Sequence, residues 1–135
     1  MMIVMRHDLN MRKGKIAAQA GHASTEALLM ALKKEGRLGD IAADEHGLYL
    51  LETDKEETPL SEWFKYGCAK VCVYVKSEEE LLAIAEKAKA KGITVALICD
   101  AGMTEFHGEP TLTCLAFEPL ATDVADEITG ELPLY

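Results

Sequence analysis

Met1-Met2-Ile3-Val4-Met5-Arg6-His7-Asp8-Leu9-Asn10, continuing through Gly14-Lys15-Ile16-Ala17-Ala18-Gln19-Ala20-Gly21-His22-Ala23, is the stretch that decides the fold. Its first five residues are apolar, with Ile and Val at the centre, as in a strand buried on both faces. His7 to Asn10 then reads as a polar loop, and Gly14 onward as a helix. Apolar positions 16, 20, 23, 27, 28, 31 and 32 form one stripe out to about Gly36, rich enough in alanine to let the helix lie close to a sheet. Gly36 and Gly39 end it, with Lys33, Lys34 and Arg37 near its negative dipole end.

The same alternation repeats downstream. Leu60 to Tyr66 reads as a short helical turn holding the sole Trp63, and Val71 to Val75 as a strand. Ser77 with Glu80 forms a capping-box pattern for a helix whose apolar face is Leu81, Leu82, Ile84, Ala85 and Ala88, stopped by Gly92. Thr94 to Cys99 is a further buried strand, Asp100 to Pro110 a loop, Thr111 to Phe117 a strand and Pro119 to Gly130 a last helix. Asp40 to Pro59 mixes acids with Leu48-Tyr49-Leu50-Leu51, which fits a strand, a hairpin or a covering loop. Strands alternating with helices, without repeat or linker, predict one α/β domain over residues 1–135.

Composition narrows the function classes. With 49% hydrophobic residues in 135, the chain can bury a core without disulfides. Met1 to Met5 is too short an apolar run for a signal-peptide core or a membrane helix, so a cytoplasmic protein with no membrane partner is expected. Cys68, Cys72, Cys99 and Cys114 lie in or beside strand-like runs and read as reduced, buried hydrophobes. Cys68 and Cys72 have no companion ligands at zinc spacing, so no metal is expected. Net charge is −9, yet residues 1–39 carry seven bases against three acids, and no Lys or Arg follows Ile93. A phosphate-binding surface would therefore be built from the first 40 residues; the acidic remainder reads equally as a solubilising surface.

Two places join strand ends to polar loops, where ligands of α/β sheets gather. At helical spacing Lys15, Gln19 and His22 share a face, read as opposite the alanine stripe, and Lys15 lies in the first turn, where unpaired N–H groups favour an anion. Arg12, Lys13, Gly14 and Lys15 are not a nucleotide-binding P-loop, because Ile16 stands where Ser or Thr is required. Solvated loop charge is the plain alternative. The second place is Asp100-Ala101-Gly102-Met103-Thr104: an acid at a strand end, a glycine for a tight turn and a hydroxyl. An Asx turn that only ties down its own loop is the alternative there.

Arg6 to Met11, Gly14 to Ala23, Ser77 to Leu81, Asp100 to Thr104 and Ile128-Thr129-Gly130-Glu131-Leu132 together, and in this order, resemble the signatures of the archaeal and eukaryotic type of peptidyl-tRNA hydrolase. The resemblance fails only around residues 37–59. It implies a three-layer α/β/α fold around a four-stranded mixed sheet, a homodimer, no cofactor, and a tRNA-linked peptide as substrate. By the same resemblance the catalytic residues fall on Lys15, Gln19, Asp100 and Thr104, and His22 on a position that is also histidine in many members; Arg12, Lys13, Gly14, His22 and Gly102 are read as binding substrate. The reaction expected on these residues is attack of water, oriented or deprotonated by Asp100 with help from Thr104, on the ester that joins peptide to ribose, with Lys15 stabilising negative charge on the carbonyl oxygen or holding the nearby phosphate. The chain departs from the family in carrying Met103 where Arg is usual and Glu105 where Gln is frequent, one cation lost and one anion gained. A non-catalytic binding module on the same fold, or a hydrolase of a smaller acylated substrate, fits the same residues.

Overall fold

Side chains alternate across the first strand, β1 (Met2–Arg6), as the pleat requires: Ile3 and Met5 enter one hydrophobic cluster and Val4 another. Each cluster is one face of the same sheet. The computed structural model describes residues 1–135. After β1 come helix α1 (Lys13–Lys34), strands β2 (Ile41–Asp44) and β3 (Gly47–Leu50), helix α2 (Pro59–Lys65), strand β4 (Val71–Val75) and helix α3 (Glu78–Ala90). Strands β5 (Val95–Asp100) and β6 (Thr111–Phe117) and helix α4 (Thr122–Thr129) complete the chain.

The sheet runs β4-β1-β6-β5, with β1 parallel to β4 and antiparallel to β6, and β6 antiparallel to β5. It is therefore mixed, and β1, β4 and β5 all point the same way. Helix α1 covers one face, where Ala23 and Ala27 meet Ile3, Met5, Ala96, Ile98, Cys114 and Ala116. Small residues on both sides bring helix and sheet close. Leu81, Ala85 and Ala88 of α3 and Ile128 of α4 cover the other face, over Val4, Val73, Val75, Leu115 and Phe117. The three-layer α/β/α architecture expected from the sequence is the one observed. Burial of a side chain such as Leu115 or Phe117 contributes about 1.5–3 kcal/mol.

Helix α3 starts where the capping pattern put it, with Ser77 Oγ accepting from Glu80 N at 3.1 Å. The return bond goes one residue further out than in a full capping box, from Lys76 N to Glu80 Oε2 at 2.6 Å. The open segment 40–59 resolves into a hairpin: β2 and β3 pair from Ile41↔Leu50 to Asp44↔Gly47, and Gly47 takes a φ of 124°. Ile41 and Leu50 pack against Ala31, Leu32 and Leu60, so the hairpin and α2 cover the far half of α1. Arg37 is buried beneath them and bonds Glu35, Thr53 Oγ1 and the Glu56 carbonyl.

The cysteine expectation needs correction. Only Cys114 is buried; Cys99 lies on the face of β5 that carries the half-buried Val95 and Leu97, opposite the buried Ala96 and Ile98, and near the end of this strand it is exposed. Cys68 is outside any strand, in the turn after α2, with a φ of 56°.

Candidate active site

Because β1 and β5 point the same way, the amino end of α1, which follows β1, and the carboxyl end of β5 meet at one edge of the sheet. That brings Lys15 and Asp100 together across 85 residues of chain, with Lys15 Nζ donating to Asp100 Oδ2 at 2.5 Å. Lys15 Nζ also donates to Thr104 Oγ1 at 3.1 Å. Gln19 Nε2 donates to the same Asp100 oxygen at 3.0 Å, and Gly102 N donates to Asp100 Oδ1 at 2.9 Å. Both side chains of the ion pair are mostly withdrawn from water, at 11% and 14% exposed. The four residues expected to be catalytic thus form one hydrogen-bonded group.

The bond from Lys15 holds the Asp100 carboxyl below its ordinary range, against the opposing effect of burial; the Gly102 N–H and Gln19 act in the same direction. Asp100 is therefore a fixed carboxylate. The Phe106 ring, its centroid 5.7 Å from Lys15 Nζ, adds a cation–π contact.

Gln19 is not opposite the alanine stripe, as the helical spacing suggested. It continues that stripe, followed by Ala23, Ala27 and Ala31 along the buried face, and is only 2% exposed. A buried amide must be satisfied, and Thr113 of β6 donates to Gln19 Oε1 at 2.5 Å. The amide is thereby fixed with its NH2 toward Asp100. Thr113 and Phe106 are residues the sequence did not single out: a threonine in a strand and an aromatic in a loop carry no such signal.

The loop after Asp100 is held by geometry only glycine can meet at position 102. Gly102 has a φ of 77°, and a Cβ there would stand 2.5 Å from the Glu109 carbonyl oxygen. Gly108 N closes the turn on the Gly102 carbonyl at 3.0 Å. Gly14 carries no such constraint, since a Cβ there meets open space.

The remaining expected binding residues surround this centre without touching it. Arg12 Nε bonds Glu105 Oε1 at 2.8 Å, Lys13 makes no hydrogen bond or ion pair, and His22 is exposed on α1. The basic surface expected from residues 1–39 is smaller than its charge count. Arg6 is buried between Asp8, Glu78 and the Leu112 carbonyl, Arg37 is buried, and Lys34 pairs with Glu118. Lys13 and Lys33 are left unpaired, at opposite ends of α1, and Arg12 keeps its side chain largely in solvent despite its bond to Glu105. Met103 projects into solvent, 85% exposed. No three His, Cys, Asp or Glu side chains converge as a metal site would require, and no helix is long and apolar enough to cross a membrane.

Residues 1–135 match the family model for peptidyl-tRNA hydrolase PTH2. The chain belongs to the PTH2 family. It is 40% identical over 135 residues to a peptidyl-tRNA hydrolase of Methanocaldococcus jannaschii, covering 99% of this chain and 97% of that one. It is 39% identical over 133 residues to one of Methanopyrus kandleri, covering 98% and 94%. Among solved structures it is similar in fold to a protein of unknown function from Agrobacterium tumefaciens strain C58, with a TM-score of 0.52 at 13% identity, covering 99% and 95%.

Proposed function

We propose that this PTH2 family member hydrolyses the ester of peptidyl-tRNA, with the Lys15–Asp100 pocket as its catalytic centre. The observation that carries the reading is the donor count at Lys15. An ammonium has three N–H donors, and Asp100 and Thr104 take two, leaving one to aim at an incoming oxygen. In the reaction a water oxygen bonds to the ester carbonyl carbon and the carbonyl oxygen becomes negative beside Lys15. When the tetrahedral centre collapses, the bond to the ribose oxygen breaks and that oxygen takes the proton the water has lost. The products are a peptide carboxylic acid and a free ribose hydroxyl.

Asp100 orients the water in this scheme. Its two oxygens already accept three hydrogen bonds, from Lys15, Gln19 and Gly102, leaving about one acceptor position on Oδ1. A carboxyl held below its ordinary range is a weak base, so it aligns the nucleophile and balances Lys15 rather than storing the proton. An aminoacyl ester is reactive enough for such positioning to suffice. Gln19 sets the Asp100 carboxylate, and Thr104 is a partner of Lys15 that the substrate can also reach.

The reading also takes residues 1–135 as one catalytic unit, working as a homodimer in the cytoplasm in support of translation. Both faces of the sheet are covered within this chain, and exposed Leu38, Leu48, Tyr49 and Leu51 around the hairpin supply an apolar surface for a second copy. Sedimentation of the wild type and of Leu48→Glu tests the dimer.

For the chemistry, pure protein and its Lys15→Ala and Asp100→Asn variants are incubated with peptidyl-tRNA. Loss of the charge aimed at the oxyanion lowers kcat about 100- to 1,000-fold. Release of tRNA by a folded Lys15→Ala protein at the wild-type rate would refute the assignment.

A further inference from the structure

A groove runs away from Gln19 and Asp100 between α1 and β5, and beyond those two residues its walls have no part in the chemistry above. It encloses about 810 Å³, between Gly21, His22, Leu29 and Met30 on α1 and Leu97 and Cys99 on β5, and it ends at Asp100. Leu29 and Met30 are left 52% and 37% exposed, on the helix whose inner face buries alanines.

Three observations fix what fits there. First, no Lys or Arg lines the groove, and Glu26 does, so a phosphodiester chain finds no counter-charge in it. Second, β5 is an edge strand, so alternate backbone N–H and C=O groups have no strand partner and can pair with an extended chain. Third, the groove is continuous with the carboxylate beside which the ester must react, and the peptide is bonded to that ester's carbonyl carbon.

We propose, on the basis of the hydrolase reading above, that this groove binds the peptide arm of the substrate, extended beside β5. The tRNA end then leaves on the other side of Lys15, past the cleft lined by Arg12 and Thr104 to Gly108. The part of β5 and its exit that lines the groove, Leu97 to Ala101, spans about 13 Å at a rise of ~3.3 Å per residue, room for about four residues of peptide. Apolar side chains on alternate peptide residues reach Leu29 and Met30.

Gly21 provides a clean obstruction. A Cβ at that position meets nothing within 4 Å, and α1 is helical there, so Gly21→Leu fits the backbone and projects into the groove. The test compares two substrates on the same tRNA, an N-acetylaminoacyl ester and an N-acetylated apolar pentapeptidyl ester. Wild type favours the longer arm about tenfold in kcat/KM, the scale of one side-chain contact in an apolar pocket, and the gain levels off near four residues. Gly21→Leu and Leu29→Glu, shown by circular dichroism to be folded, bring that ratio toward one, chiefly through KM.

A second readout is independent of turnover: the fluorescently labelled pentapeptide acid binds wild type and is released by Gly21→Leu. Turnover without a length preference, or a preference that neither variant moves, overturns the groove and leaves the hydrolase standing. Peptide binding that Gly21→Leu abolishes, in a protein without turnover, supports the groove and sinks the hydrolase. Neither binding nor turnover overturns both. A dimer that Leu29→Glu splits into monomers would seat a second copy there instead and overturn the proposal.

Discussion

Glu105→Gln is expected to tighten substrate binding through a residue that never reaches the reacting atoms. Glu105 holds Arg12 at 2.8 Å, and the Arg12 side chain is otherwise 78% exposed beside the cleft that leads from Lys15. Removing the charge costs little stability: Glu105 is only 17% exposed, but its partner Arg12 lies in solvent, so the pair contributes about 0–1 kcal/mol, and the isosteric amide keeps the packing. It also releases one of the few bases able to meet a phosphate. Each phosphate neutralised on a single strand adds ~0.7 to the slope of log affinity against log salt, so one new contact raises affinity about fivefold at 0.1 M relative to 1 M salt. KM for peptidyl-tRNA should therefore fall about fivefold at 0.1 M salt and by almost nothing at 1 M, with kcat unchanged. Steady-state kinetics over a salt series measures it, with Lys13→Ala as the opposite case, flattening the slope by a similar amount. An unchanged slope in Glu105→Gln would show that Arg12 does not meet the substrate, and the tRNA path drawn past it would be wrong.

Other outcomes follow from the site's geometry. Gly102→Ala forces either a strained φ or a shift of the Glu109 backbone, so kcat should fall about tenfold or more as Asp100 loses its N–H donor, with about 1–3 kcal/mol of stability lost in urea denaturation. Gln19→Ala leaves the buried Thr113 hydroxyl without its closest partner, at a cost of about 1–3 kcal/mol, and Thr113→Val should lower kcat by freeing the Gln19 amide to turn. Asp100 titrates lower in the fold than its unfolded value near 3.8, so its contribution to stability is complete above about pH 5 and is lost as pH falls through the folded value. Urea titrations of wild type and Asp100→Asn should accordingly run parallel from pH 5 to 8 and converge only in more acidic solution; convergence near pH 6 would contradict the ionised pair.

The layered core was legible because local signals there agree. The apolar run of β1, the alanine stripe of α1 and the Ser77 cap each specify one element, and their alternation leaves few ways to build a sheet. The hairpin was not legible, because β2 and β3 form a two-stranded sheet of their own with most side chains exposed, so no hydrophobic period marks them. Its position is set by Ile41 and Leu50 reaching α1 and α2, contacts that local reading cannot supply.

At the site, residue types spoke more clearly than directions. A lysine in a helix's first turn and an acid at a strand end were visible as chemistry, and the fold joins them. Gln19 was misplaced because a polar residue in an amphipathic helix is assigned to water by default. What keeps it inside is Thr113, 94 residues away, whose hydroxyl turns an otherwise costly buried amide into a positioned donor. The charge of residues 1–39 misled for a similar reason. Arg6 and Arg37 serve internal ion pairs, so the surface left for phosphate is a few residues beside Lys15, and the opposite side of that lysine opens on an apolar groove. On the reading proposed above, a site with Arg12 on one side and the groove of Leu29 and Met30 on the other suits a molecule charged at one end and apolar at the other, with the bond to be broken between them.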